Sequence, residues 1–355
     1  MLSNFFSSRN SKLIGIDIGS HSVKAVLLGQ SSGGYQVEAF AMLPIAKGVV
    51  VDHTIVDIEA IGAVLKNLRK RFPKSAADAA VAVSGSGVIT KTIYLSAVQS
   101  DDELEAQIEI EADNLIPYPL NEVNLDFEKL KINESDPGKI DVLLTAARTE
   151  LIEARVSALE LGQLKAQIMD IEGYALGRSF ELIKGQLAEG AENKPVALVD
   201  IGSAMLTIAI VEKGETVFIR EQAFGGEQYT QSIISYYGMT YEQAEAAKIG
   251  NELPRNYVFE VLAPFQTSMI QQIRRTLQIY STSKGSEDIG SIVVSGGCAY
   301  LEGIENLLSE ELRIPTIVAQ PFSSCLFKEG VSPEQLQRES AKFMVAGGLA
   351  LRSFS

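Results

Sequence analysis

The sequence predicts an α/β fold of two related domains, with a smaller αβ subdomain inserted between them. The chain has 355 residues, which is enough for about two domains of ordinary size. A segment that starts at Ile16, IDIGSHSVKAVLLGQ, recurs in similar form from Val199 as VDIGSAMLTIAIVEK. A repeat this long is not a solenoid unit and indicates two domains of similar topology. Apolar stretches with strand and helix spacing alternate along the chain, which is typical of sheets covered by helices.

Each copy of the repeat predicts a meander of three strands. A short apolar run, LIGID or VALVD, enters a Gly-Ser turn, and a second break, SSGG or EKGE, separates the next two strands. After the first meander, apolar residues recur at intervals of three and four from Thr54 to Phe72. This spacing predicts a helix that covers the first sheet.

A different pattern between the two copies predicts the inserted subdomain over residues 76–165. Strands are expected at 79–85 and 88–95, and a helix follows from Ser100, with Glu103 at the capping-box position and Pro117 at its end. Two further strands, 123–132 and 139–147, flank the polar turn NESDPG, and a helix over 149–161 completes the unit.

The remaining domain boundaries follow from the polar break GQLAEGAENKP near residues 185–195. We assign residues 1–75 and 166–190 to the first domain, which a C-terminal helix at 338–355 completes. The second domain spans 195–337 and includes a helical subdomain around 225–285. Its helices are expected at 229–237 and 257–280, the second with a continuous apolar face.

Composition excludes several classes of protein. The chain carries 31 Lys and Arg against 45 Asp and Glu, a net charge of −14, so its surface repels the phosphates of nucleic acid. Its two cysteines, Cys298 and Cys325, lie far apart without metal-ligand spacing, which favours a reducing cytoplasm. With only His21 and His53 besides, a zinc site is not expected. No apolar stretch reaches the roughly 18–20 residues that a membrane-spanning helix needs.

The turns after the first strand of each copy have the residues of a phosphate site. Glycine lets a phosphate approach the backbone closely, and successive N–H groups can converge on anionic oxygens. Around Gly19, Ser20, His21 and Ser22 add polar groups, and Lys24 shares a strand face with Ser22. Asp17 would repel phosphate unless Mg²⁺ and its water lay between them. The second copy repeats the pattern with Asp200, Gly202 and Ser203.

A third segment, SIVVSGGCAYLEGIENLL, runs from a strand into Gly296 and Gly297 and then into a helix. Backbone without side chains there would let a flat base and its ribose come close, and a tight strand-to-helix connection is the alternative explanation of the glycines. The G-x-x-x-x-G-K-[ST] and G-x-G-x-x-G patterns are both absent.

These segments, in this order, resemble the actin, Hsp70 and sugar-kinase superfamily, whose duplicated, ribonuclease H-like domains enclose ATP. Within it, GIDIGSHSVK, AVAVSGSGVITKTI, DDELEAQIEIEADNLIPYPLNEVNLDF, DVLLTAAR and DIEGYAL are similar to the PilM family of type IV pilus assembly proteins, relatives of the division protein FtsA. The likeness covers almost the whole chain and implies an actin-like fold with an inserted subdomain, as in FtsA.

The resemblance also implies roles for particular residues. ATP is expected to bind at a first phosphate segment around Gly19, a second around Gly202 and an adenosine segment at 296–297. Glu227 and Lys248 are expected near the ribose or base. Glu172 falls where superfamily hydrolases orient the attacking water. Mg²⁺ is expected to bind through water to Asp17 and Asp200. The phosphate and adenosine residues, in chain order, are Asp17, Gly19, Ser20, His21, Ser22, Lys24, Asp200, Gly202, Ser203, Gly296 and Gly297.

For function, the resemblance implies a cytoplasmic ATP-binding scaffold of the pilus inner-membrane complex. Its expected partners are the short cytoplasmic N-terminal peptide of PilN and other platform components, with self-association a further expectation. Candidates for the peptide groove are Ala79–Ile93 and the helix that ends at Tyr118. The chain ends at LRSFS without the amphipathic tail expected of FtsA, so membrane attachment is expected through a partner.

Two alternatives remain open from the sequence. One is a polymerising cytoskeletal ATPase of the FtsA type, and the other is a sugar kinase on the same fold, which needs an Asp general base beside a hydroxylated pocket. The second phosphate segment reads DIGSAMLT and lacks the glycine-rich run of the chaperones, so hydrolysis is expected to be slow.

Overall fold

The computed structural model describes residues 12–97, 101–133, 135–250, 252–284 and 288–354. The strands are β1 (Ile14–Ile18), β2 (Ser22–Ser31), β3 (Gly34–Pro44), β4 (Val50–Val51), β5 (Thr54–Ile55), β6 (Asp78–Val83), β7 (Val88–Ser96), β8 (Val123–Ile132), β9 (Lys139–Arg148), β10 (Lys165–Ile171), β11 (Val196–Ile201), β12 (Leu206–Glu212), β13 (Glu215–Gln222), β14 (Ser291–Ser295), β15 (Thr316–Val318) and β16 (Leu326–Phe327). The helices are α1 (Ile58–Arg69), α2 (Asp101–Leu115), α3 (Thr149–Leu161), α4 (Glu172–Arg178), α5 (Phe180–Ile183), α6 (Gly226–Tyr237), α7 (Tyr241–Gly250), α8 (Ala263–Lys284), α9 (Ile304–Leu312), α10 (Pro333–Gln337) and α11 (Met344–Ala350).

Two sheets share the order of five strands, which confirms the predicted duplication, and β16 is an additional strand at the edge of the first sheet. The first sheet has the order β10-β6-β1-β2-β3-β16, and the second has the order β13-β12-β11-β14-β15. In both, the repeat forms an antiparallel meander, and its first strand pairs in parallel with a later strand, β6 or β14. The first strands of both repeats are buried apolar runs, as expected for strands covered on both faces.

The helix predicted from Thr54 begins later than expected. Thr54 and Ile55 pair with Val50 and Val51 in a two-stranded hairpin. Asp57 then caps α1, because its carboxylate accepts a hydrogen bond from the Ala60 amide at 2.8 Å. A cap residue therefore separates a short strand from a helix that the apolar spacing alone merged.

The inserted unit is a separate three-stranded sheet, β7-β9-β8, with α2 packed on it through its own buried cluster. The inserted subdomain is shorter than the predicted range of 76–165, because β6 pairs with β1 and β10 in the first sheet. Helix α3 also packs with the first domain, where Ala158 and Leu159 join its core. The insert therefore occupies about the span from β7 to β9. Ser100, the predicted cap of α2, lies outside the described residues.

The C-terminal helix α11 completes the first domain at very close range. A Cβ on Gly15 would lie 2.1 Å from the Ala346 carbonyl oxygen, and one on Gly348 would lie 1.8 Å from the Ala175 carbonyl oxygen. Helices α11 and α4 thus pack backbone to backbone where they join the two domains.

The helical subdomain expected around 225–285 consists of α6, α7 and α8. A π-helical turn, Val258–Leu262, leads into α8, so the helix predicted over 257–280 is present and continues to Lys284. Within the residues described, no helix combines the length and apolar character required to span a membrane.

Candidate functional site

The first hairpin turn brings together the predicted phosphate residues of the first repeat. Residues 19–21 join β1 to β2, and the Gly19 amide donates to the Ser22 carbonyl at 3.2 Å. Asp17 and Lys24 are cross-strand partners, and Lys24 Nζ lies 2.8 Å from Asp17 Oδ2. Their side chains are 16% and 11% exposed for Lys24 and Asp17, respectively, whereas His21 is exposed. The ammonium therefore sits beside the turn, held by the carboxylate.

The second hairpin turn is equivalent but more tightly enclosed. The Gly202 amide donates to the Met205 carbonyl at 2.8 Å, and the Gly202 carbonyl accepts from the Gly226 amide at 3.0 Å. The Ser203 carbonyl accepts from the Glu227 amide at 2.7 Å. The first turn of α6 thus holds this loop through backbone hydrogen bonds.

The predicted adenosine segment packs directly behind the second turn. Ser295, at the end of β14, donates to Asp200 Oδ1 at 2.7 Å. Gly296 follows with φ +83°, and a Cβ on it would lie 2.4 Å from the Ile201 carbonyl oxygen. Only glycine fits this position, because both the left-handed backbone and the close approach exclude a side chain. The exposed Gly297 continues toward solvent.

Charged groups of the two repeats interact electrostatically with one another. Desolvation works to lower the pKa of Lys24, but Asp17, Asp200 and Glu172 outweigh it and raise that pKa. Burial raises the pKa of Asp200 to about 6, and Asp17 adds to the shift while Ser295 and Lys24 oppose it. The Lys24 ammonium of the first repeat therefore interacts with the predicted carboxylates of both repeats.

Glu172 begins α4 and completes this charged group. Its Oε2 accepts a hydrogen bond from Ser84 Oγ at 2.7 Å. Burial is the main cause that raises the pKa of Glu172 to about 7, and repulsion by Asp17 and Asp200 raises it further. The carboxyl group can therefore hold or release a proton near neutral pH.

Lys248 joins α7 to α6 beside the adenosine segment. Its Nζ donates to Thr230 Oγ1 at 2.7 Å and also pairs with Glu245. Thr230 in turn donates to the Gly226 carbonyl at 3.0 Å. Glu245 was not predicted as a site residue, and only its position one helical turn before Lys248 could have indicated it.

Glu227 forms an ion pair with a residue of the first domain. Its Oε1 lies 2.7 Å from Nζ of Lys47, which follows β3 in the first domain. The same Nζ lies 4.0 Å from the centre of the Tyr241 ring. Desolvation opposes the effect, but hydrogen bonds from Lys47 and Gln231 lower the pKa of Glu227. Lys47 thus bridges the two domains at a residue expected near the ribose.

A second polar cluster beside Glu172 was not found from the sequence. His53 Nδ1 is hydrogen-bonded to Ser84 Oγ, and the buried His53 Nε2 has no partner. The Gly85 amide donates to Glu221 Oε2 on β13 at 2.8 Å. The VSGSG run after β6 was the available signal, since polar residues at strand ends often line α/β sites.

Arg155 is hydrogen-bonded to backbone carbonyls next to this cluster. It is 2% exposed, and its guanidinium donates to the carbonyls of Ala82 at 2.7 Å, Leu151 at 3.0 Å and His53 at 2.9 Å. Burial lowers its pKa, while Glu172 and Asp17 oppose that shift. No sequence signal distinguishes it from a solvent-facing helix arginine.

A metal ion would need ligands beyond the protein. Among the residues that the structure describes, no three His, Cys, Asp or Glu side chains form a group that could hold a metal. Asp17 and Asp200 offer the hard oxygen ligands that suit Mg²⁺, which commonly keeps several waters and binds substrate phosphates as well. The donor set fits a magnesium ion held through water and nucleotide, and does not fit an all-protein metal site.

Two sheets that share the order of five strands, packed together through α4 and α11, define an actin-like protein. A structure of the PilM-PilN type IV pilus biogenesis complex matches 98% of this chain and 100% of that chain, with a TM-score of 0.84 and 22% identity. The ethanolamine utilization protein EutJ from Carboxydothermus hydrogenoformans matches 96% of this chain and 89% of its own, with a TM-score of 0.59 and 17% identity.

Sequence comparison gives the family. The cell division protein FtsA of Bacillus subtilis (strain 168) is 22% identical over 366 residues, which cover 88% of this chain and 80% of FtsA. Residues 15–354 match the family model of the type IV pilus assembly protein PilM. The chain therefore belongs to the PilM family, which confirms the resemblance seen in its motifs.

Proposed function

We propose that this chain binds Mg-ATP between its two domains and acts as a cytoplasmic scaffold of type IV pilus assembly, located at the inner membrane through partner proteins. The observation that carries the proposal is the convergence of Asp17 and Lys24 from one repeat with Asp200 from the other. A clamp built from both domains gives a ligand different contacts in open and closed arrangements, which is the condition for a ligand to shift that equilibrium.

The phosphates would lie against the two hairpin turns. Backbone amides around Gly19 and Gly202 would bind phosphate oxygens, with the hydroxyls of Ser20, Ser22 and Ser203 as further donors. Lys24 would then divide its charge between Asp17 and phosphate.

The proposed site has an excess of negative charge that a bound magnesium ion would offset. Asp17, Asp200 and Glu172 are largely buried there and act on the single ammonium of Lys24. Asp17 and Asp200 would hold a magnesium ion through water, and the charge of the ion would offset that of the aspartates and the phosphates.

The adenosine would lie beyond the second turn, against Gly296 and Gly297. Lys248 and Glu227 border this region, and nucleotide would compete with Lys47 for Glu227. Glu172 would orient a water near the terminal phosphate, so slow hydrolysis is part of the proposal.

Calorimetry with Mg-ATP and Mg-AMPPNP tests nucleotide binding. We expect Asp17→Asn to weaken affinity by about tenfold, equivalent to about 1.4 kcal/mol. Asp113→Asn, on the exposed face of α2, is the matched control and should bind as the unmodified chain does. Equal affinity in both variants, or no binding heat in the unmodified chain, would refute the proposed site.

The partner peptide is the second part of the proposed function. A related structure is a PilM-PilN complex, and this supports the cytoplasmic N-terminal peptide of PilN as a ligand here. A cavity of about 210 Å³ lies between the inserted sheet, α4 and β13, and Thr90, Thr92 and Tyr174 line part of it. It adjoins Ala79–Ile93, one of the segments expected to form the groove. Extended peptides gain affinity from such pockets and from backbone pairing.

A labelled PilN N-terminal peptide tests this part by fluorescence anisotropy. Thr92→Arg places a large side chain at the cavity and should weaken binding by about tenfold. Lys91→Arg, whose side chain lies on the opposite face of β7, should leave affinity unchanged. Equal peptide affinities would place the groove elsewhere. A difference in peptide affinity with and without Mg-AMPPNP would establish that nucleotide sets the conformation.

The likeness to FtsA favours one further candidate, a polymerising ATPase. Sedimentation with Mg-ATP tests it, because filaments would pellet and a monomeric scaffold would remain in the supernatant. Other pilus platform proteins would be additional partners of the scaffold.

A further inference from the structure

The turn formed by residues 84–87, after β6, contacts the phosphate site and the second domain at its first two residues. Ser84 Oγ donates to Glu172 Oε2 at 2.7 Å, and Glu172 is part of the charged group formed by both hairpin turns. The next residue, Gly85, donates its amide to Glu221 Oε2 on β13 at 2.8 Å. One side of the turn therefore holds a carboxylate of the proposed site, and its backbone holds the other domain.

The last two residues of the turn contact the inserted subdomain. The Ser86 carbonyl accepts from the Tyr118 hydroxyl at 3.3 Å, just after α2. The Gly87 carbonyl accepts from the Arg148 amide at 3.0 Å, at the end of β9. The Arg148 guanidinium also lies 5.3 Å from the centre of the Tyr118 ring. Two elements of the insert are thus anchored to this turn.

The turn has little room to move independently of its neighbours. Gly85 has φ +88°, and a Cβ there would lie 3.1 Å from His53 Cδ2. A Cβ on Gly87 would lie 2.7 Å from Leu151 Cδ1. His53 itself has φ +64°, an uncommon conformation for a residue other than glycine. Closely packed backbone of this kind transmits a displacement to the groups on its other side.

We propose that the turn of residues 84–87 is the joint that couples the nucleotide site to the inserted subdomain, with Ser84 as the residue that links it to Glu172. This inference rests on the proposed nucleotide binding. A water or phosphate that draws the Glu172 carboxylate toward the cleft competes with its hydrogen bond from Ser84. The turn then shifts against Glu221 on one side and against Tyr118 and Arg148 on the other. The two arrangements of the turn are the two states that the ligand distinguishes.

Amide hydrogen exchange on the full chain, with Mg-AMPPNP as the probe, tests the joint. In the unmodified chain, we expect nucleotide to change exchange at the amides around Arg148 and Tyr118 by about fivefold or more, the usual lower range of coupling between sites. Ser84→Ala should remove that change while calorimetric affinity for Mg-AMPPNP stays within about threefold, because Ser84 lies outside the phosphate turns.

Two further variants make the result specific. Ser179→Ala is the matched control, because Ser179 is fully buried and its hydroxyl donates to the Leu176 carbonyl, away from the turn. It should keep the nucleotide-dependent change. Tyr118→Phe removes only the hydroxyl that reaches the Ser86 carbonyl, so it should lose the change near the end of α2 and keep it at Arg148. This variant provides the test if Ser84→Ala does not fold.

The outcomes separate the joint from the nucleotide site itself. If nucleotide binds and exchange at the insert does not change, or changes equally in Ser84→Ala, the joint is wrong and the nucleotide site stands. If the unmodified chain gives no binding heat, the proposed function fails and the joint fails with it.

Discussion

Replacing Glu172 with glutamine should stabilise the ligand-free protein at alkaline pH. The Glu172 side chain is 20% exposed and lies near Asp17 and Asp200, and its pKa is raised to about 7 from an ordinary 4.5. A carboxyl group whose pKa is raised by folding stabilises the folded state below the unfolded pKa. That contribution is lost as pH rises through the folded pKa. Glutamine stays neutral and can still accept the hydrogen bond from Ser84.

The expected size follows from the interval between 4.5 and about 7. At about 1.4 kcal/mol per pH unit, the full interval is worth about 3 kcal/mol, and about 2 kcal/mol of it falls between about pH 5.5 and pH 8. The free energy of unfolding of Glu172→Gln, relative to the unmodified chain, should therefore rise by about 2 kcal/mol over that range.

Urea unfolding at the two pH values measures this difference. Glu160→Gln is the matched control, because Glu160 is exposed near the end of α3, and its difference from the unmodified chain should not depend on pH. The reasoning is refuted if the Glu172→Gln difference is the same at both pH values, or if it shrinks toward alkaline pH.

Three more variants follow from specific contacts. Lys24→Met leaves the largely buried Asp17 without its cation and should lower the free energy of unfolding by about 3–5 kcal/mol in urea. Adding Asp17→Asn should recover part of this loss, and a double variant no more stable than Lys24→Met would contradict the reasoning. Lys47→Met breaks an exposed ion pair between the two domains, so it should lower the free energy of unfolding by less than about 1 kcal/mol. It should also increase the radius of gyration in small-angle scattering, and an unchanged radius would count against a bridge between the domains. Gly348→Ala should lower unfolding free energy by about 1–3 kcal/mol, because its Cβ meets backbone at 1.8 Å, while Gly185→Ala meets nothing within 4 Å and should be tolerated; equal stabilities of these two variants would refute the close packing.

The spacing of apolar residues predicted most strands and helices, because the buried face of each element recurs at a fixed interval along the chain. The strands β8 and β9 and the helix α3 fall close to their predicted limits, and both meanders are present. Where two elements were merged, as at Thr54, a cap decided the boundary. The placement of β6 in the first sheet was not predictable from its own residues, because a buried strand has the same apolar run in either sheet.

Some residues of the candidate site were predictable from the sequence, and others were not. The repeat indicated Asp17 and Asp200, and strand alternation after Ser22 indicated Lys24. In the structure, both carboxylates raise the pKa of Lys24. Their role in nucleotide binding stays a prediction. His53 and Glu221 were missed, because each is an ordinary polar residue until distant strands place it beside the turn after β6.

By itself, the sequence determined the duplication, the family and the two glycine turns, because a repeated motif and its apolar spacing are carried by residues close together in the chain. Only the tertiary structure decided which charges meet. Lys47 and Glu227 are 180 positions apart, and Gly85 and Glu221 are 136 apart. Contacts over such distances depend on how sheets and helices pack, and no local spacing specifies that packing.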